Sequence, residues 1–348
     1  MWSALSSGAA SFGRILLVSL LPNGLLAAAI WAFVRAGSFT GQSDWKAVAA
    51  SVLHANTAIL FLFVGAIILL AVILQPFQIG MVRILEGYWP DVPIISHLTS
   101  LFVEHQQRHV DHLQESTPDV IAPADDKNAP LGRRVQARRD FLAKSAAKAR
   151  AERRLSRYPF SEDSELLPTS LGNALRTGET TAGERYGLDT LSSWPRMYPN
   201  ISSRLAESAD SARDALDGSV NLCVAFFFLA IISAAAAYHN PGAVWIPILA
   251  LLLMAMTYAG AVTAAVSYNE ILRTAYDLHR FDMVKALHYK LPDTEREESN
   301  LFKDLGNLFQ APAKYQSMHG SGRYGRGIAH DLVGSPYDHE TAKSADQS

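Results

Sequence analysis

The chain has 348 residues, 49% of them hydrophobic and 18% charged, with a formal net charge of -2. That near-neutral balance gives no electrostatic reason to expect nucleic acid as a partner. A single cysteine, Cys223, excludes both an intrachain disulfide and a cysteine-rich metal site; set in an apolar run, it reads as a small apolar side chain.

The average composition hides a partition into long uncharged apolar blocks and polar blocks. A helix rises about 1.5 Å per residue, so about 20 apolar residues cross a hydrocarbon core about 30 Å thick. Four blocks meet that length without an Asp, Glu, Lys or Arg: residues 15–34, 52–75, 220–239 and 244–267. They predict an all-α integral membrane protein with four transmembrane helices in two hairpins. The first block follows Arg14 and is longer than a signal-peptide core. Its end, Trp31-Ala-Phe-Val-Arg35, is a poor cleavage site, so it is expected to stay as an uncleaved anchor.

Small residues at Gly24, Ala28, Ala32 and Ala36 make a stripe along the first span. Ala255, Ala259, Gly260 and Ala264 repeat the idea in the fourth. Pro22 and Pro247 are expected to kink their helices. Polar residues within the spans are few: Asn23, His54, Asn56, Asn221, Thr257, Tyr258 and Thr263. Without a mid-membrane carboxylate, proton-coupled transport is not expected.

Residues 76–219 form a predicted cytoplasmic module. Phe77, Met81, Ile84 and Leu85 keep helical spacing beyond the second span and stop at Tyr88-Trp89-Pro90. A second amphipathic helix is predicted over Pro93 to His112. Leu98, Phe102, His105, His109 and His112 share one of its faces. Three histidines on one helix rarely close a tetrahedral shell, so no metal site is assigned to His105, His109 and His112. A linker lies near 116–130. The alanine- and arginine-rich helix 133–155 is then expected to meet anionic lipid headgroups, each cation contributing about 1 kcal/mol near the surface. It lacks the aromatic platform that would make nucleic acid its partner.

The most distinctive text runs from Leu167 to Pro199. Pro168, Gly172, Asn173, Arg185, Tyr186, Gly187, Asp189, Trp194, Pro195 and Arg196 are its candidate interaction residues. Thr169 or Ser170 is placed to cap a short helix, and Arg185 and Asp189 to pair at i, i+4. Aromatic residues beside prolines point to a packed module. Ile201 to Asp217 leads as a helix into the third span. After the fourth, cytoplasmic helices are predicted over 268–310, the second with an acidic start after Pro292. A disordered tail is expected over 311–348.

Orientation follows from the basic residues. Of the 31 Lys and Arg, 29 fall at Arg14, between spans two and three, or after span four. Only Arg35 and Lys46 lie between spans one and two, and none in the tight turn Asn240-Pro241-Gly242-Ala243. Both termini are therefore predicted to be cytoplasmic, in the cell membrane. Trp31, Tyr238 and Trp245 then fall near the outer interface.

Three stretches carry a resemblance: Val82-Arg-Ile-Leu-Glu-Gly-Tyr-Trp-Pro90; Pro168-Thr-Ser-Leu-Gly-Asn173 with Arg185-Tyr-Gly-Leu-Asp189 and Trp194-Pro-Arg196; and Tyr276-Asp-Leu-His-Arg-Phe-Asp282. Together they resemble a group of uncharacterised multipass membrane proteins from bacteria, chiefly actinobacteria. The resemblance implies the topology and carries no activity, cofactor or ligand set.

No Gly-rich phosphate loop, paired metal-ligand motif or nucleophile elbow is present, so neither an enzymatic activity nor a cofactor is expected. Two functions remain. The first is a membrane-anchored scaffold or regulator whose cytoplasmic module binds a protein partner or itself as a homo-oligomer. The alternative is an oligomeric channel or transporter.

Overall fold

The computed structural model describes residues 20–54, 56–74, 77–90, 92–120, 130–159 and 166–310, with positions 13 and 18. The opening residues of the first predicted span, Gln75, much of the linker and the tail from residue 311 lie outside the described residues. Among those described, every regular element is helical. These are α1 (Leu21–Arg35), α2 (Trp45–Leu53), α3 (Thr57–Leu74), α4 (Gln78–Glu86), α5 (Pro93–Glu115), α6 (Leu131–Leu155), α7 (Ser170–Thr181), α8 (Thr190–Met197), α9 (Ser203–Ala237), α10 (Trp245–Ala286) and α11 (Glu295–Gln310). Short 3-10 turns cover Glu184–Tyr186, Tyr198–Asn200 and Pro241–Ala243.

By length and composition, two described helices are long and apolar enough to cross a membrane, Ser203–Ala237 and Pro241–Ala286. The predicted second span is shorter at its start than the sequence implied. Val52 and Leu53 belong to α2, which Asp44 caps by accepting hydrogen bonds from the backbone N–H groups of Lys46 (3.0 Å) and Ala47 (3.3 Å). At the other end, the His54 ring Nδ1 lies 3.0 Å from Ala50 O and closes that helix. A capped turn thus competes with hydropathy and wins, because each end satisfies orphaned backbone groups.

The chain divides into two compact units. The first comprises Met1–His109, Leu166–Asn173 and Ser211–Ala265. Here α1 packs on α3. Gly24 leaves room for Ile67, to which an added Cβ would come within 3.4 Å, and Trp31 meets Phe63 with ring centroids 6.0 Å apart. The expected stripe of the first span therefore does face a neighbour.

The stripe expected on the fourth span is corrected in part. Ala255 and Ala259 are exposed, Gly260 and Ala264 are half-buried, with a Cβ on Gly260 falling 3.6 Å from Ser219 Oγ, and the buried line runs through Ala250, Ala261, Val262 and Ala265. Alanines populate both sides of α10, so composition alone does not choose the packed side. The kink expected at Pro247 is corrected: it stands in the first turn of α10, where no intrahelical donor is lost. Pro22 instead follows positions 18 and 20, whose backbone is already wound as a π-helix.

Asn240 braces two loops of this unit. Its Oδ1 accepts the Ser43 N–H at 2.7 Å, and its Nδ2 faces the carbonyls of Ser38, Gly41 and Ala236 at 3.2, 3.0 and 3.2 Å. Replacing Asn240 by alanine strands several backbone groups. It is expected to lower stability by about 2 kcal/mol, read as a fall in melting temperature in detergent. An unchanged melting curve would show that water substitutes for the amide.

Much of the apolar surface of this unit is uncovered. On α3, Phe61 and Leu62 are 74% and 75% exposed, with Val64, Ile68, Leu69, Val72 and Ile73 also exposed. On α9 and α10, Phe227, Phe228, Ile231, Ile248, Leu249, Leu252 and Met256 are likewise exposed.

The second unit comprises Val110–Glu165, Ala174–Asp210 and Val266–Ser348. Its core gathers Ala182, Leu188, Met197 and Ile201 with Leu272, Ala275, Tyr276, Met283 and Val284 of α10 and Phe302 and Leu305 of α11. As predicted, α11 has an acidic first turn, with Glu295, Glu297 and Glu298. Thr294 Oγ1 accepts the Glu297 N–H at 3.3 Å, and Glu297 Oε2 accepts the Asp293 N–H at 2.9 Å. A half-buried ion pair, Arg280 Nε to Glu298 Oε1 at 2.8 Å, holds α11 to α10.

Candidate functional site

The candidate residues of the Leu167–Pro199 text fall into two groups, one in each unit. In the first unit, Pro168, Gly172 and Asn173 are buried and form a close backbone crossing. A Cβ on Gly172 would stand 2.0 Å from the carbonyl oxygen of Glu86. Gly87 adopts φ +94, and a Cβ there would meet Pro168 Cγ at 2.5 Å. The Asn173 amide closes the entry to α7: its Oδ1 accepts the Leu167 N–H at 2.7 Å, and its Nδ2 donates to Leu167 O at 2.8 Å. Thr169 supplies the cap, its Oγ1 accepting the Gly172 N–H at 3.0 Å. The glycine-and-proline text before Pro90 and that after Pro168 are thus two sides of one contact.

In the second unit, Gly187, Asp189 and Arg196 lie against α11, Pro195 is exposed, and Arg185, Tyr186 and Trp194 reach the end of α10. Tyr276 is fully buried there. Its hydroxyl lies 2.7 Å from Ser193 Oγ and donates to Thr190 O at 3.1 Å. Trp194 stacks between Tyr276 and Tyr198, with centroids 6.2 and 5.7 Å away. Burial, more than any neighbouring charge, pushes the Tyr276 phenol well above its ordinary value, so it stays protonated as a donor.

Thr190 links the end of α7 to the following turn. Its Oγ1 donates to Glu179 O at 2.7 Å and accepts the Gly183 N–H at 2.9 Å. Gly178 leaves the space filled by Asn269, whose Nδ2 donates to Ala174 O at 2.6 Å; a Cβ on Gly178 would stand 2.1 Å from Asn269 Oδ1.

The expected Arg185–Asp189 pair does not form. Gly187, at φ +85, ends the turn between them. Arg185 instead reaches Asp277 Oδ1 at 3.4 Å, while Asp189 caps α8 by accepting the Ser192 N–H at 2.8 Å. Tyr186 donates to the same Asp277 oxygen at 2.6 Å, and the guanidinium groups of Arg185 and Arg280 lie 4.9 and 4.3 Å from its ring centroid. Arg176 bridges Glu179 and Glu184 at 2.8 Å each. Burial raises the Glu179 carboxyl despite that arginine.

Burial also works against ionised Asp189, but hydrogen bonds from Ser192 and Gln310 and the charge of Arg176 outweigh it and hold the carboxyl below the ordinary aspartate range. Its folded pKa is depressed, so its contribution is present above the unfolded value and disappears as the pH falls through the folded one. The Asp189→Ala variant is expected to lose about 1 kcal/mol at neutral pH. Below about pH 4 the gap to wild type should narrow. Denaturation of both proteins across that range checks the sign, and a gap that widens on acidification would refute it.

What remains at the surface is narrow. Leu191 is 66% exposed. With exposed Pro195 and Pro199 it makes a ridge at i, i+4 and i+8, flanked by exposed Arg196, whose guanidinium packs 4.1 Å from the Phe309 ring centroid. Leu191 escaped the sequence reading because nothing in composition distinguishes an outward leucine from an inward one, whereas Pro199 closes the distinctive text but was not among its candidate interaction residues. The roles of Tyr276, Thr190 and Ser193 escaped that reading because the hydrogen bonds that join Tyr276 to the other two span more than 80 residues. His105, His109 and His112 are exposed along α5. Among the described residues, no group of three or more His, Cys, Asp or Glu side chains is placed to hold a metal ion. The chain matches no family model, no curated protein and no solved structure.

Proposed function

We propose that the chain is a four-span protein of the cell membrane, with both termini cytoplasmic, and that it works as an anchored scaffold or regulator. Its helical cytoplasmic module would bind a protein partner through the Leu191–Pro195–Pro199 ridge. The observation that carries the membrane assignment is the uncovered apolar surface on α3, α9 and α10. A water-soluble monomer rarely leaves so many large aliphatic and aromatic side chains bare, whereas a lipid-facing helix requires them. The charge asymmetry about these helices supports the orientation.

The binding reading rests on how the distinctive text is used. Most of its polar groups are consumed in caps, ion pairs and the Tyr276 cluster, which leaves a small apolar and cationic ridge outside a firmly packed core. The channel alternative has less support. Asn221 Nδ2 donates to Val18 O at 2.8 Å, Thr257 Oγ1 to Leu253 O at 2.9 Å, and Tyr258 Oη accepts the Leu171 N–H at 3.2 Å. These polar groups serve the chain itself.

Deleting residues 167–199 would unravel the core, so the test uses the surface. Crosslinking and capture from native membranes, with wild type and the Leu191→Asp/Arg196→Glu variant, should show a partner that the variant loses at unchanged melting temperature. An identical set of captured proteins would sink the reading. Single cysteines in a Cys223→Ala background test the topology. Positions 38–43 should label from outside the cell, and labelling there only after permeabilisation would reverse the orientation.

A further inference from the structure

The first turns of α5 present an apolar stripe that the described residues leave largely bare, Trp89 alone meeting its Phe102 edge. Ile94 is 76% exposed and Leu98 44%, and Leu101 and Phe102 are similarly bare. At helical spacing these four occupy one side. Ser96, Ser100 and Glu104 form an exposed polar side next to it, while Ile95, Thr99, Val103 and Gln106 turn toward the protein. Gln106, which is buried, places its Nε2 3.5 Å from Ser170 Oγ. The helix therefore already has its protein-facing side, and the stripe is a separate surface.

Several observations identify the occupant. The stripe follows α3 by fewer than 20 residues and belongs to the same compact unit as the uncovered α3 surface. The approach to it is also apolar and aromatic. Phe77, Ile84, Tyr88 and Val92 are exposed, and from residue 77 to residue 103 the only charged side chains are Arg83, Glu86 and Asp91. Trp89 joins the two helices. Its indole donates to Ile84 O at 2.8 Å, and its ring meets Phe102 edge-on at 5.6 Å. Amphipathic rings beside a polar helix side suit the headgroup boundary. The apolar stripe ends where Glu104, His105, Arg108 and His109 follow, as it would for a helix leaving that boundary.

We infer that residues 93–102 lie in the plane of the inner membrane interface, with Ile94, Leu98, Leu101 and Phe102 dipping into the acyl chains. This rests on the four-span reading and adds to it a surface helix that fixes the height of the module's first segment. The occupant is lipid, and a second copy of the chain is the competing outcome.

The test uses the full-length protein with Cys223 replaced by alanine, reconstituted in nanodiscs of mixed zwitterionic and anionic phospholipid. Nitroxides are placed singly at positions 94, 98, 101, 96, 100 and 104. Collision with oxygen relative to a water-soluble nickel chelate should be several-fold higher at 94, 98 and 101 than at 96, 100 and 104. A ratio equally low at all six positions would overturn the inference. So would spin–spin broadening at 98 or 101 that vanishes on dilution with unlabelled protein, which would assign the stripe to a second copy. Labels at Val64 and Leu252 separate the two readings. If they contact the chelate, the span assignment itself fails; if they stay in lipid while the stripe does not, only this inference does.

Discussion

Gly172→Ala is expected to be the most damaging single-methyl change in the chain. Its Cβ would stand 2.0 Å from a backbone carbonyl oxygen, and the carbonyl of Glu86 has no rotamer with which to yield. Either α7 moves off α4 or the capped entry around Leu167 and Asn173 opens. Overpacking of this kind costs about 3 kcal/mol or more. Gly80→Ala is the internal control, since a Cβ there meets nothing within 4 Å. It should be neutral, or stabilising by up to about 1 kcal/mol through helix propensity. Melting curves of the two variants in the same detergent decide the matter. Equal midpoints would mean that the crossing is looser than its geometry implies.

Tyr276 carries the second large effect. Truncation to alanine removes a fully buried ring from the centre of the second unit, against which Trp194 stacks, and should cost about 4 kcal/mol. Tyr276→Phe keeps the ring and drops only the hydroxyl, which removes the buried contacts to Ser193 Oγ and Thr190 O while Ser193 keeps its bond to Asp189 O, and should cost about 1 kcal/mol. Combining Tyr276→Phe with Ser193→Ala should cost less than the two single changes added, because both remove the same 2.7 Å contact. Strict additivity in chemical denaturation would show that the hydroxyls do not interact.

The helices were largely readable from the sequence because their signals are local. Acidic residues at 295, 297 and 298 announce the start of α11, a capping residue at Thr169 or Ser170 marks α7, and apolar runs mark α9 and α10, whereas α8, capped by Asp189 and with Pro195 inside it, was not foreseen. The departures arise where a local cap outranks hydropathy, as at Asp44, or where both sides of a helix carry the same small residues, as on α10. The site was legible in a different sense. Its glycines, prolines and aromatics stood out as text, and the structure joins the three stretches in pairs: Gly87 with Pro168, then Arg185 and Trp194 with Asp277 and Tyr276. What could not be read was which of these residues would point outward. Asp189, expected to pair with Arg185, faces a helix start, and that choice depends on the φ +85 turn at Gly187.

The core of the second unit has a consequence for biosynthesis. Phe302 and Leu305 are fully buried within it, against segments around residues 182–201 and 272–284. A ribosome adding about 5–20 residues per second therefore completes both long apolar helices before the last core residues exist. During that interval the core lacks the side chains that α11 contributes. A chain ending at Pro292 would never supply them, so a late nonsense or frameshift lesion should yield a degradation-prone product rather than a milder version of the full protein.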